Sequence, residues 1–213
     1  MAAVSATAPA VRRPRSALVL KRMLDICGAV LLLVLLSPLM AVLALAIKLQ
    51  DRGPVLYRRR VIGGGGEFDA LKFRTMRVDA DVILRSDAEL RRQFEENYKL
   101  KDDPRITPLG RSLRKYSLDE LPQLFNVLRG QMSLVGPRMI TSSELSKYGD
   151  FQALLLSVKP GMTGYWQVNG RQSVGYDERV RMDAFYISHW SLAFDLKLLL
   201  QTPGKVVKGD GAY

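Results

Sequence analysis

Apolar residues run without a charge from Ile26 to Ile47, interrupted in their middle by Ser37 and Pro38, and basic residues stand on both sides of the run. Arg12, Arg13, Arg15, Lys21 and Arg22 precede it; Lys48, Arg52, Arg58, Arg59 and Arg60 follow. At about 22 residues and 1.5 Å per residue, roughly 33 Å, a helix of this length reaches across a hydrocarbon core. Lys and Arg stay on the cytoplasmic face of a bilayer, so an ordinary crossing would carry one basic flank to the wrong side. Pro38 lacks a backbone donor and crowds the preceding turn, which bends a helix, and Ser37 can satisfy a freed carbonyl. The pattern predicts a re-entrant helix-break-helix over residues 17–50, entering one leaflet and returning. Two readings compete with it. A signal peptide is disfavoured by the length of the run and by Lys48 directly after it, whereas a kinked single-pass anchor is compatible with the tolerance of membrane helices for proline.

Beyond the run the period shortens. Gly53-Pro54 marks a turn, and residues 55–62 and 68–76 read as strands around the loop Gly63 to Gly66. Four glycines also invite a phosphate-loop reading, but no Gly-Lys-Ser/Thr follows, so a flexible turn is the better one. Val82, Ile83, Leu90 and Phe94, with charges between them, predict one solvated amphipathic helix over 79–100. Residues 104–136 alternate turn signals with short helical stretches, 160–166 reads as a loop, and 176–187 as a helix. From Ile187 to Leu200 apolar residues surround a few polar ones and Trp190 suits the headgroup level, so this segment is either an interfacial helix or one packed on the core. The expected fold class is α+β and mostly helical. Its parts are a disordered tail at 1–16, rich in Ala, Pro and Arg, the re-entrant helix at 17–50, and one cytoplasmic domain at 51–213 with a short β-hairpin and interfacial amphipathic helices.

Charge adds one constraint. Of 213 residues, 32 are Lys or Arg and 21 Asp or Glu, for a net charge of +11. Much of the excess flanks the apolar run, where it matches an anionic lipid surface better than nucleic acid. The one cysteine, Cys27, lies inside the run, which excludes a disulfide framework or a Cys-based metal site within one chain. No Ser-His-Asp, Cys-His or zinc spacing occurs, and His189, the only histidine, has no partners at metal-site spacing.

The vicinal carboxylates Asp119-Glu120, in Ser117-Leu118-Asp119-Glu120-Leu121-Pro122-Gln123, are the sharpest chemical candidates. Ser117 and Glu120 are spaced as a capping box, so the bland alternative is a helix cap. Pro122, best tolerated at a first helical position, moves the helix start one turn later. Either way the pair sits at a helix N-terminus, a place that stabilises anions and keeps a carboxylate ionised beside phosphate. Adjacent helical residues diverge by about 100°, so one acid can attack while the other holds a cation. Lys72, Arg74, Arg105, Arg114, Arg138 and Arg171 stand singly in ordered-looking segments, as diphosphate recognition requires, although each alone is also an ordinary surface charge.

Several stretches together carry a resemblance: Lys21-Arg22 with Asp25, Ser37-Pro38, Gly53-Pro54-Val55, Lys72-Phe73-Arg74-Thr75-Met76, the Asp119-Glu120 segment, Ser133-Leu134-Val135-Gly136-Pro137-Arg138, Lys159 to Gly164, Trp166 to Arg171, and Gly211-Ala212-Tyr213. In this order, over nearly everything from residue 18 onward, the chain resembles the bacterial sugar transferases, the monotopic polyprenyl-phosphate phosphoglycosyl transferases, in their short form of anchor plus catalytic domain. The resemblance implies that Asp119 is the nucleophile and that Glu120, with Asp119, holds Mg²⁺. Asp119 would attack the β-phosphorus of a UDP-sugar and release UMP; undecaprenyl phosphate would then take the phosphosugar. Lys72, Arg114, Arg138, Gln167, Arg171 and Asp183 match motif positions implied to bind substrate, Arg138 foremost as a phosphate ligand. Arg58 and the Gly63–Gly66 loop depart from relatives, which often have Gln and a less glycine-rich turn.

The implied function is the priming step of exopolysaccharide or O-antigen synthesis at the bacterial inner membrane, with the catalytic domain facing the cytoplasm. Galactose or glucose is favoured over an N-acetylated amino sugar. The implied partners are a UDP-sugar, undecaprenyl phosphate, anionic lipid, and either further copies of the chain or downstream glycosyltransferases, with no nucleic acid. The alternative from another class is a non-catalytic basic membrane adaptor, against which the intact Asp119, Glu120 and Arg138 argue.

Overall fold

A computed structural model describes residues 13–97, 100, 103–170 and 174–208. The first helix, α1 (Arg15–Asp51), spans 37 residues and begins inside the stretch expected to be tail. Its buried and half-buried positions include Lys21, Asp25, Ala29, Leu33, Leu36, Met40, Leu43 and Ile47. They recur every three or four residues, the spacing of one helix face. This stripe packs on the rest of the molecule along most of the helix. Ala29 and Leu33 join the main core, whereas Leu43 and Ile47 form a second cluster with Phe73 and Leu113. The opposite face is apolar and open, with Val34, Leu35 and Val42 at 64–66% exposure.

The break expected at Ser37-Pro38 does not form: α1 continues through Pro38 as one helix. Proline at 38 cannot donate to the carbonyl of Val34, four residues back. Ser37 Oγ donates to that carbonyl instead, at 2.9 Å, and supplies the missing bond.

A hairpin follows. Strand β1 (Leu56–Gly63) pairs antiparallel with β2 (Gly66–Phe73), with Gly64 and Gly65 at the turn, so the second strand ends three residues before the expected Met76. Gly66 has a φ of +98°, and a Cβ at Gly64 would come within 2.7 Å of the Val158 carbonyl. The glycine loop is therefore closely packed rather than a free flap. In the β1–β2 register, Tyr57, Arg59 and Val61 face the same side as Lys72, Ala70 and Phe68.

The single helix expected over 79–100 is two, α2 (Ala80–Ser86) and α3 (Ala88–Asn97). Asp87 between them is extended, and its carboxylate accepts a hydrogen bond from the Leu90 amide at 2.9 Å, a cap that starts a new helix. Helix α4 (Pro108–Lys115) is capped by Thr107, and α5 (Gln123–Leu128) follows the acid pair. Strand β3 (Ser133–Val135) then pairs in parallel with β4 (Gly161–Thr163), inside the segment expected to be a loop. Three-residue strands are too short to display a period of two.

Between these strands lie a 3₁₀ segment, Ser142–Phe151, and α6 (Gln152–Leu156). After them come α7 (Tyr165–Asn169), α8 (Tyr176–Ser188) and α9 (Leu192–Lys208). Helix α9 packs one face on the core and leaves apolar residues open on the other. Asp195 and Leu198 are buried on the core side, while Leu196, Leu200 and Val207 are exposed. The class is thus a mostly helical α+β fold with a long apolar first helix and a small hairpin.

Candidate active site

Asp119 and Glu120 lie on one 3₁₀ turn, Leu118–Glu120, between α4 and α5. Ser117, just before it, has left-handed φ 54° and ψ 23°, an uncommon conformation for a residue with a side chain. Helix α5 starts at Gln123, one turn beyond the box, as Pro122 implied. The capping box itself does not form, because Ser117 makes no side-chain cap bond. The Glu120 carboxylate is held instead by Lys72 Nζ at 2.6 Å, and the Ser117 amide donates to the Arg114 carbonyl at 3.1 Å.

Lys72 comes from β2, on the hairpin face that also carries Arg59. Its ammonium is 3.6 Å from Asp119, so one cation grips both acids. Asp119 is 8% exposed. Burial pushes its carboxyl up to about 6, against the charge of Lys72 and with that of Glu120. Desolvation outweighs the favourable charges, yet an acid at about 6 is still mostly ionised at neutral pH. Burial also acts to raise Glu120, but the charge and hydrogen bond of Lys72, with Arg138 and Arg59, hold it below the usual range. The two acids are therefore shifted in opposite directions.

Arg114, from α4, donates through Nε to Thr75 Oγ1 at 2.9 Å. Burial lowers its pKa, and the charge of Asp119 acts most strongly to raise it. Arg138 follows β3 through Gly136-Pro137. Its backbone amide lies 3.4 Å from both carboxylate oxygens of Asp183, and its guanidinium stacks 5.0 Å from the centre of the Trp166 ring. Asp183, on α8, also accepts from the Tyr148 hydroxyl at 2.9 Å. Burial pushes Asp183 up to about 7 against those two hydrogen bonds. Asp183 thus sits beneath the Arg138 backbone and fixes that loop.

Other candidates separate from the pair. Arg74 is committed to Asp51 at the end of α1, and Arg105 to Asp103 at 2.8 Å. Gln167 has a buried, unpartnered Oε1, which a Cβ at Gly164 would approach to 2.7 Å. Arg171 lies outside the described residues. Arg59 and Trp166 are site neighbours that sequence reasoning did not single out. Strand alternation signals Arg59, since it shares a face with Lys72; nothing in the spacing signals Trp166.

Among the described residues no group of three or more His, Cys, Asp or Glu converges. Mg²⁺ is commonly bound by one or two carboxylates plus phosphate and water. The Asp119-Glu120 oxygens fit that mode, with the remaining positions left to a phosphorylated ligand, and do not fit a cage made of protein alone.

The site is thus a vicinal acid pair gripped by a lysine, with arginines acting on it, on a domain packed along a long apolar helix. The family model described as bacterial sugar transferase matches residues 16–209, and the chain belongs to that family. The undecaprenyl-phosphate galactose phosphotransferase of Salmonella typhimurium is 47% identical over 204 residues, which cover 93% of this chain and 43% of that protein. The exopolysaccharide production protein ExoY of Rhizobium meliloti is 41% identical over 198 residues, 91% of this chain and 88% of that protein. The undecaprenyl-phosphate glucose phosphotransferase of Komagataeibacter xylinus is 40% identical over 220 residues, 95% of this chain and 39% of that protein. The chain thus spans less than half the length of the first and third of these relatives and most of the second.

Proposed function

We propose that this chain transfers a hexose 1-phosphate from a UDP-sugar to undecaprenyl phosphate, the priming step of an exopolysaccharide. The observation that carries the reading is the inequivalent acid pair on Lys72, with Arg138 and Arg114 acting on it. The named activities of the relatives agree with it, galactose in one and glucose in another.

Asp119 Oδ forms a bond to the β-phosphorus while the bond from that phosphorus to the bridging oxygen breaks, and UMP leaves. An oxygen of undecaprenyl phosphate then bonds to the same phosphorus, the Asp119–phosphorus bond breaks, and the carboxylate is regenerated. An acid near 6 suits the first step, being mostly ionised at neutral pH yet poorly solvated. Glu120, kept ionised, and Asp119 supply the oxygens for Mg²⁺, whose chemistry is to neutralise diphosphate charge. Lys72 and Arg138 reduce the repulsion between an anionic nucleophile and an anionic substrate. Splitting the transfer in two lets a soluble donor and a lipid acceptor use one site in turn.

The docked stripe of α1 supports a monotopic placement. Residues near both ends, Asp25 and Ile47, contact the same domain, so both ends belong on the side where that domain lies. The outer face of α1 and the exposed apolar residues of α9 then meet lipid, and the basic flanks meet headgroups. On this reading residues 51–213 form the cytoplasmic catalytic domain.

The test is release of UMP by purified protein supplied with undecaprenyl phosphate and a panel of UDP-sugars. UDP-galactose or UDP-glucose is expected to support turnover above the N-acetylated sugars. No UMP from any of them would overturn the reading.

A further inference from the structure

Two arginines share the ring of Trp166. The guanidinium carbon of Arg138 lies 5.0 Å from the ring centre and that of Arg179, from α8, 4.5 Å. The two cations therefore stand within about 10 Å of each other, roughly one Debye length at 0.1 M salt. Trp166 is 4% exposed, and Arg179 also faces Tyr176 at 5.2 Å, so the aromatic support is rigid.

Neither guanidinium forms an ion pair with a described carboxylate, and the Nε of each is buried without a partner. The neighbouring acids are engaged elsewhere: Glu178 with Arg181 at 3.5 Å, Glu144 with Arg59 at 3.3 Å, and Asp183 with Tyr148. Asp183, pushed up to about 7, does not supply a full counter-charge at neutral pH. Burial lowers the pKa of Arg179, and the charge of Arg138 lowers it further. Two like charges held close, with no carboxylate in ion-pair contact, are what an anion-binding site requires before its ligand arrives. Arg138 also acts on Glu120, which links its end of the pair electrostatically to the acids.

We propose that Arg179 and Arg138, set by Trp166, form a two-guanidinium subsite for a phosphate or diphosphate ester, which makes Arg179 a substrate-binding residue. The source of that anion, the diphosphate of the sugar nucleotide or the phosphate of the lipid acceptor, rests on the transferase reading. The anion binding itself needs no turnover and stands apart from it.

Inorganic pyrophosphate is titrated calorimetrically, in EDTA, into the detergent-solubilised full chain. The comparison covers wild type, Arg179→Ala, Arg179→Gln, Arg179→Lys and Asp119→Asn. Loss of one charged contact is expected to weaken binding at least roughly tenfold in Arg179→Ala and Arg179→Gln. Arg179→Lys is expected to recover part of it, as a point charge without the fork. Gln and Lys keep a long stem over Trp166, so the comparison survives should the alanine variant fail to fold. Asp119→Asn is expected to bind pyrophosphate while losing transfer. Arg179-dependent binding in a protein that transfers no sugar would leave the subsite standing and the transferase reading fallen. In steady-state assays, a raised KM of Arg179→Gln for UDP-sugar alone assigns the nucleotide diphosphate, and a raised KM for undecaprenyl phosphate alone assigns the acceptor. Equal pyrophosphate affinity in wild type and Arg179→Gln overturns the proposal.

Discussion

Lys21 Nζ on α1 lies 2.9 Å from Asp195 Oδ2 on α9, an ion pair that ties the first helix of the chain to the last described one. The same ammonium is 3.2 Å from Asp25 and donates to the Val135 carbonyl at 3.1 Å. Asp25 also accepts from Ser133 Oγ at 2.9 Å and from the Leu134 amide at 3.0 Å. Asp195 accepts from Tyr186 at 2.7 Å and from Trp190 Nε1 at 3.0 Å. Every member of this buried network is satisfied, which is the condition under which such a network holds elements in one arrangement. It fixes α1 against the strand that leads into Arg138.

Lys21→Met removes the shared cation and leaves two buried carboxylates without it. A loss of about 3–5 kcal/mol is expected, by analogy with other broken buried pairs. Thermal or denaturant unfolding in micelles measures it. A change under about 1 kcal/mol would show that the network is solvated and carries little.

Docking of α1 along one domain makes a prediction about sidedness. With Cys27 replaced by Ala, single cysteines at exposed Ser16 and Gln50 are expected to react with an impermeant maleimide in inside-out vesicles and to resist it in intact spheroplasts. Labelling of position 16 alone from outside would favour a crossing helix. Pro38→Leu restores the Val34 bond without Ser37 and is expected to shift a fraction of molecules toward crossing.

Long or local signals in this chain are legible in its sequence. The apolar run signals a long helix, and the glycine turn of the hairpin and the proline after the acid pair act within a few residues; the structure has the helix, without the break, the turn and the later helix start. Strands β3 and β4 are not legible. They pair in parallel across a long stretch of chain, and close backbone approach settles the pairing, since a Cβ at Gly161 would sit 2.0 Å from the Gly136 amide nitrogen. The acids themselves stand out, but their inequivalence does not. It arises from burial by packed elements and from Lys72 on the hairpin, terms that only tertiary structure supplies.

Gly110 offers a test of how Arg114 is placed. A Cβ there would lie 2.0 Å from the Thr75 carbonyl, which accepts from the Thr107 amide, while the Thr75 hydroxyl holds Arg114. Gly110→Ala is expected to cost about 1–3 kcal/mol through overpacking and to lower transfer by displacing Thr75. Thr75→Ser keeps the hydroxyl and is expected to retain most activity, whereas Thr75→Val, without it, is expected to lose most. Equal activity of the serine and valine variants would remove Thr75 from the site.

The acid pair yields opposite signs for its two members. Asp119 near 6 and Asp183 near 7 both stand above the ordinary value of 3.8. The native state therefore binds more protons than the unfolded state between about pH 4 and 7. The stability these two acids contribute is present below that window and is lost as pH rises through it. Glu120 stands below its ordinary value, so its contribution is present above that value and is lost on acidification. At pH 7.5, Asp119→Asn is expected to stabilise the fold, by roughly 1–3 kcal/mol, while abolishing UMP release, since an amide cannot replace the attacking carboxylate. Glu120→Gln is expected to lower stability and to keep a trace of activity that rises with added Mg²⁺, whereas Asp119→Asn does not respond to the metal. Wild-type kcat/KM is expected to fall below about pH 6 as Asp119 takes up its proton. Incubated with the preferred UDP-sugar and no acceptor, wild type is expected to gain the mass of one phosphosugar on the peptide that contains Asp119. Full turnover by Asp119→Asn, or a stoichiometric adduct on another residue, would overturn the assignment.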